Sequence, residues 1–150
     1  MKEFIVPPIR NGTVIDHIPP GKSVRVLEVL GIPRPGSTSI VSLAMNVETG
    51  RGAGRKDIVK IEDRELEREE LDRIALIAPG ATINIIRNYD VARKHTVDLP
   101  DTIEGVVQCQ NPDCVTLSEP VASRFQVTSR DPLVIRCDYC RHVLSQEAVA

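Results

Sequence analysis

Tryptophan is absent from this 150-residue chain, and two Tyr and two Phe are its only aromatics. With 41% apolar residues there is enough for a core, but that core has to be aliphatic. No excess of positive charge is present either: 19 Lys and Arg face 21 Asp and Glu, the net charge is −2 and the pI is near 5.9. That balance excludes a generic binder of nucleic acid or of membrane surfaces. No apolar run approaches the roughly 18 residues of a membrane span, and Met1–Arg10 lacks the layout of a signal peptide. A cytoplasmic protein with no membrane partner is expected. Catalytic signatures are missing too. There is no P-loop, no G-x-G-x-x-G after a strand, no Ser or Cys nucleophile in a recognisable setting, and no carboxylate pair with a nucleophile nearby. An enzyme is not expected.

What is there is concentrated. All four cysteines lie after residue 108, as Cys109 and Cys114 in "CQNPDC" and Cys137 and Cys140 in "CDYC". C-x4-C and C-x2-C each suit a tight knuckle, and two knuckles together supply four thiolates for one tetrahedral, structural Zn²⁺. Asn111, Pro112 and Asp113 are turn formers within the first. Two disulfides would need an oxidising compartment, and four thiolates leave no open position for catalysis. Between the knuckles, short strand-like pieces carry Phe125, Val127, Leu133 and Ile135 as apolar content, a thin core for about 50 residues. Metal binding is therefore expected to supply much of the folding free energy, on the order of 10 kcal/mol. Residues 101–150 hold four Arg and no Lys against seven acidic residues. Such a surface repels phosphates, so this part is read as a protein-docking module and nucleic acid is not expected as a partner.

Residues 1–100 read as a second unit. "NGTVIDHI" (11–18) is a turn and strand; 19–31 opens on Pro and closes on Gly31, with Val26, Leu27 and Leu30 spaced for one helical face. "TSIVSLAMNV" (38–47) and "GRKDIVKIED" (54–63) alternate as strands, joined by the glycine-rich "ETGRGAG". A helix is expected over 64–78, with Leu71, Ile74, Ala75 and Ala78 as its apolar stripe and Glu69–Arg73 as a solvated i,i+4 pair. "ATINIIRN" (81–88) is the fourth strand, and "YDVARKHTVDL" extends it or begins a fifth. The order β-α-β-β-α-β predicts an α+β ferredoxin-like sandwich with one sheet face free for ligands. A linker near 97–102 then leads into a small all-β zinc-ribbon, rubredoxin-like domain.

The strand "GRKDIVKI" poses a question of its own. Period-2 alternation puts Lys56, Ile58 and Lys60 on one face and Arg55, Asp57 and Val59 on the other. The two lysines then stand roughly 13 Å apart, which gains nothing for folding and suits a spread anion. Arg55 and Asp57 are expected only to pair with their neighbours.

Taken together, "GTVIDHIP" (12–19), "GRKDIVKIE" (54–62), "LIAPGATINIIRNYDV" (76–91) and the closing cysteines resemble the family of aspartate carbamoyltransferase regulatory chains. The resemblance implies a non-catalytic subunit. Residues 1–100 would form an allosteric domain that binds the nucleoside triphosphates CTP, ATP and UTP and pairs with itself. Residues 101–150 would form the zinc domain that docks onto the catalytic chain, in an assembly of two catalytic trimers and three regulatory dimers. It further implies that Lys94 holds phosphates, that Lys60 senses base or ribose, that Asp16 accepts hydrogen bonds from them and that His17 lines the phosphate side; Lys56 would add its charge to the field of Lys60 and Lys94. Asn84, Ile86, Tyr89 and Val91 would frame the base, and Val6 and Ile9 would bring the N-terminal segment alongside, where Pro7 and Pro8 offer no N–H.

Overall fold

The computed structural model describes residues 8–49, 54–130 and 132–145. The chain divides into two compact units, Met1–Asp98 and Leu99–Ala150.

In the first unit the elements run β1 (Gly12–Ile18), α1 (Ser23–Val29), β2 (Val41–Glu48), β3 (Arg55–Glu62), α2 (Arg68–Ile77), β4 (Thr82–Arg87) and β5 (Asp90–Thr96). All five strands form one antiparallel sheet in the order β2-β3-β1-β4-β5. Without β5 this is the ferredoxin-like order expected from the element sequence; β5 is a true fifth strand, an edge hairpinned onto β4. Alternation decides which side is core. Ile15, Val59, Ile61, Ile83 and Ile85 are buried beneath the helices with Val26, Leu30, Ile74, Ala75 and Ile77, while Val14, Asp16, Ile58, Lys60 and Asn84 face the other way and stay half-exposed. At the start of β1, Gly12 is obligatory: a Cβ there would meet the Ile61 carbonyl oxygen at 2.1 Å.

Both helices are shorter than periodicity suggested. The first begins only at Ser23, because residues 19–22 form a turn closed by the Lys22 N–H on the Pro19 carbonyl. The second begins at Arg68, where Glu67 and Glu70 form a capping box; Arg64 is held instead by an ion pair to Glu70. Glu69 and Arg73 pair at 2.8 Å as expected. The apolar face includes Leu76 and Ile77 beyond the expected stripe, and Leu71 lies only at its margin. Most of the glycine-rich connection, residues 50–53, lies outside the described residues. At its ends the Thr49 N–H donates to the Gly54 carbonyl at 3.0 Å.

The second unit is a four-stranded antiparallel sheet, β6-β7-β8-β9, of Thr102–Glu104, Arg124–Arg130, Leu133–Cys137 and Val143–Ser145, plus a four-residue helix α3 (Val115–Ser118) after the first knuckle. Phe125, Leu133 and Ile135 are buried with Ile103 and Leu144, whereas Val127 is only half-buried. Leu99 belongs here: its carbonyl accepts a hydrogen bond from Arg130 at 2.5 Å.

Candidate functional site

The open face of the first sheet carries a groove of about 410 Å³ lined by Ile9, Asp16, Lys60, Asn84, Tyr89 and Lys94, among others. Its floor follows from register. Lys60 on β3 is opposite Val14 on β1, Val14 is opposite Asn84 on β4, and Asn84 is opposite Lys94 on β5. Four residues from four strands thus form one row, with a lysine at each end. Three inter-strand steps of about 4.8 Å set the two lysine Cα atoms about 14 Å apart. A β-bulge in the β4–β5 pairing brings Val91 opposite Ile86, so both line the groove as well. Burial pushes the Lys60 ammonium below its ordinary value, against the opposing pull of Asp16. A partly dehydrated cation of this kind gains more from an arriving anion than one in open water.

Tyr89 reaches the groove by an unusual route. Asn88 (φ 52°) and Tyr89 (φ 68°) are the two turn residues of the β4–β5 hairpin, both left-handed, where Asn-Gly is the favoured pair. The backbone there is held by the Asn88 N–H on Asn11 Oδ1 (3.1 Å) and the Tyr89 N–H on the Arg10 carbonyl (2.9 Å). Tyr89 as a whole remains 65% exposed at the groove's rim. A tyrosine held at a backbone angle that suits glycine points to a task for its side chain.

Of the residues proposed from sequence, Ile9, Asp16, Lys60, Asn84, Ile86, Tyr89, Val91 and Lys94 come together in this groove. Val6 lies outside the described residues. Lys56 and His17 do not line the groove. Lys56 Nζ ion-pairs with Asp16 at 3.0 and 3.2 Å beside it. His17 stands in a bulge of β1 (φ 57°), its N–H on Asp16 Oδ1 at 2.7 Å and its Nδ1 3.3 Å from Thr82 Oγ1. Pro8, Val14 and Ile58 line the groove without having been expected. Val14 and Ile58 were within reach of sequence reasoning, since each is two residues from a named lining residue on the same strand face.

Asp57 was also missed. Far from a surface pair, it is fully buried. Its Oδ2 accepts from Ser23 Oγ (2.6 Å) and from the Gly21 and Ser23 N–H groups (3.0 and 3.2 Å), and its Oδ1 accepts from the Asn46 N–H (2.8 Å). Burial alone would raise its carboxyl, but the Ser23 hydroxyl and the N–H groups of Asn46, Ser23 and Gly21 outweigh that and hold it below the ordinary value. The available signal was an acidic residue at a core-facing strand position, which must find donors. Arg55, by contrast, is exposed and pairs with Glu48 at 3.5 Å.

In the second unit the four cysteine sulfurs all lie within 4.8 Å of one another, with Cys109–Cys140 at 3.6 Å and Cys114–Cys137 at 3.7 Å. None is disulfide-bonded. Four thiolates about 2.3 Å from a central ion would be about 3.8 Å apart, so the donor set fits a tetrahedral metal. Local hydrogen bonds shape both knuckles. In the first, the Cys114 N–H donates to the Asn111 carbonyl at 3.0 Å and the Asp113 N–H to Asn111 Oδ1 at 3.1 Å; in the second, the Arg141 N–H donates to the Cys137 carbonyl at 2.9 Å, with Arg141 left-handed. The thiols differ in acidity: burial pushes Cys109 up to about 12, while at Cys140 burial is outweighed by the Asn111 side chain and the His142 N–H, which bring the value down to about 6. A divalent cation would hold all four as thiolates.

Comparison with known proteins covers both units. Residues 4–98 match the family model for the aspartate carbamoyltransferase regulatory chain, allosteric domain, and residues 101–150 match that for its metal binding domain. Curated relatives named aspartate carbamoyltransferase regulatory chain include those of Methanocella arvoryzae (55% identical, over 97% of this chain and 94% of the relative) and Methanothrix thermoacetophila (53%, over 97% and 94%). That of Pyrococcus horikoshii is 48% identical over 99% of this chain and 97% of its own.

Proposed function

Because the chain belongs to the family of aspartate carbamoyltransferase regulatory chains, a non-catalytic subunit with an allosteric and a metal-binding domain, we propose that its open-face groove binds the nucleoside triphosphates CTP, ATP and UTP. The observation that carries this reading is the row Lys60–Val14–Asn84–Lys94. Lysines at both ends place positive charge where an extended polyphosphate needs it, as point charges that tolerate a moving partner. Between them lies an amide able to donate and to accept, and so to tell amino from keto edges. Tyr89, Ile86 and Val91 supply apolar surface for a base. Asp16 and Lys56, already paired, line up beside the row so that incoming phosphate competes with a carboxylate for the same ammonium.

The metal in the second unit is read as zinc: four thiolates in a closed tetrahedral set suit Zn²⁺ as a structural ion. The partner of that unit is read as the catalytic chain, in line with the acidic balance of residues 101–150 and with apolar side chains standing out beside the first knuckle. Val115, Leu117 and Val121 are each about 40% exposed there. Self-pairing is assigned to β2, an edge strand of the first sheet that presents Leu43 and Met45 to solvent where edge strands usually carry charge. Bound nucleotide then biases the regulatory dimer between two arrangements, and the zinc unit passes that bias to the catalytic trimers of a cytoplasmic assembly.

Calorimetric titration of the full chain with CTP and with ATP, alone and with purified catalytic trimer, tests the reading. Saturable binding of a mononucleotide that shifts when the trimer is present is the expected result. Heat only with oligonucleotides, with a steep salt dependence, would replace it by a nucleic-acid-binding role.

A further inference from the structure

We infer that Asp57 is a positioning residue for the groove and the link by which groove occupancy reaches edge strand β2. The inference rests on the groove being a nucleotide site. It starts from two irregularities that flank β3. In the pairing with β1 the register shifts between Ile15 and Ile18, at Asp16–His17; in the pairing with β2 it shifts between Ala44 and Val47, at Met45–Asn46. The first bulge lies opposite Ile58 and the second opposite its neighbour Asp57, and each holds a left-handed residue, His17 and Asn46.

Beside these bulges, the side chains of Lys56 and Asp57 leave opposite faces of the sheet. On the open face Lys56 grips Asp16, which lines the groove. On the core face Asp57 grips the Asn46 N–H in the β2 bulge through one oxygen and the start of α1 through the other. β2 itself contributes no described residue to the groove lining. Regular ladder hydrogen bonds resist distortion, and bulges are where a sheet yields. A ligand that engages Asp16 in the groove loosens its grip on Lys56 and displaces β3 beside the two bulges. With four donors fixed to its carboxylate, Asp57 cannot absorb that displacement, so the Asn46 bulge and the Gly21–Ser23 turn must follow. The exposed Met45 sits in that same bulge.

Hydrogen exchange of the full chain, with and without saturating CTP and again with ATP, reads this directly. Peptides spanning 41–48 should change their exchange about five-fold or more on nucleotide addition, and peptides spanning 82–96 should respond as a report of groove occupancy. In Asp57→Asn the 82–96 response should remain and the 41–48 response should vanish. A purely architectural Asp57 would lower the melting temperature yet leave the 41–48 response in place; that result overturns the inference, as does a wild-type chain that binds nucleotide with no change at 41–48. If the wild-type chain binds neither nucleotide, the groove reading falls first and this one with it. Should Asp57→Asn fail to fold, Ser23→Ala decides, since it removes one of the four bonds and keeps the carboxylate: a reduced response at 41–48 supports the link, and an undiminished one ends it.

Discussion

The two units of this chain hold themselves together by different means. In the first, aliphatic side chains from four of the five strands and from two helices are packed to near-complete burial, Ile15, Val59, Ile61, Ile74 and Ile83 among them. In the second, Ile103, Phe125, Leu133, Ile135 and Leu144 make a small core, and three of the four cysteines are buried beside it. A sheet with a deep core can leave one face open, polar and free to change its ligands. A unit of about 50 residues has no such surplus, and a metal held by its four sulfurs would supply much of its stability. The two units are thereby separated in their means of stability as well as in sequence, and each is expected to fail alone.

The largest effect should come from breaking the metal cage. Cys114→Ala removes one thiolate, and with it most of the roughly 10 kcal/mol that a structural site contributes. Residues 99–150 should lose their dispersed amide resonances and their metal while the resonances of the first unit persist. Retained metal in equal stoichiometry, or collapse of both units together, would erase the contrast drawn above. A strong chelator should act on the native chain in the same selective way.

Asp57 is the corresponding weak point of the first unit. Asp57→Asn leaves buried N–H donors short of an acceptor and should cost about 2 kcal/mol by denaturant unfolding of that unit. The sign of its pH dependence follows from the lowered native value. The stabilisation is fully present above the ordinary carboxylate value of about 3.9 and is lost as the pH falls through the lower native one. Wild type should therefore lose stability below about pH 4 more steeply than Asp57→Asn, and parallel curves would refute the assignment.

How much of this was legible beforehand depended on which rule governed each residue. Alternation along "RKDIVKIE" placed Lys60 and Ile58 on the open face correctly, because β3 lies inside the sheet and the extra residues of both bulges belong to its neighbours β1 and β2. The spacing of Cys109, Cys114, Cys137 and Cys140 needed only local knuckles to bring four sulfurs together. The surroundings of His17 and Lys56 were not legible. A bulge adds one residue without any mark in composition, and it alone decides that His17 turns toward Thr82. Nor could sequence show what Asp57 holds, since its donors come from 34 to 36 residues before it and from 11 before it. Helix starts were set too early because a turn at residues 19–22 and the Glu67–Glu70 capping box, not the apolar period, fix the first helical residue.

Within the groove, smaller effects separate its parts. Lys94→Ala should weaken triphosphate binding by about ten-fold or more, and Lys60→Ala somewhat less, with dimer assembly and metal content unchanged. Both variants are checked by the calorimetric titration described above, with sedimentation to confirm assembly. Wild-type affinity in both would remove the lysine row from the site.

The smallest effect has the sharpest sign. Tyr89→Gly restores the Asn-Gly pair that a hairpin turn with two left-handed residues prefers. Relief of the left-handed tyrosine outweighs the added freedom of glycine in the unfolded chain, so the first unit should gain on the order of 0.5–1 kcal/mol. The same change removes an exposed ring from the groove's rim, so nucleotide affinity should fall while thermal stability rises. Opposite movement of the two is what a side chain kept for its ligand predicts. If affinity and melting temperature fall together, Tyr89 is there for packing, and its left-handed backbone would need another cause.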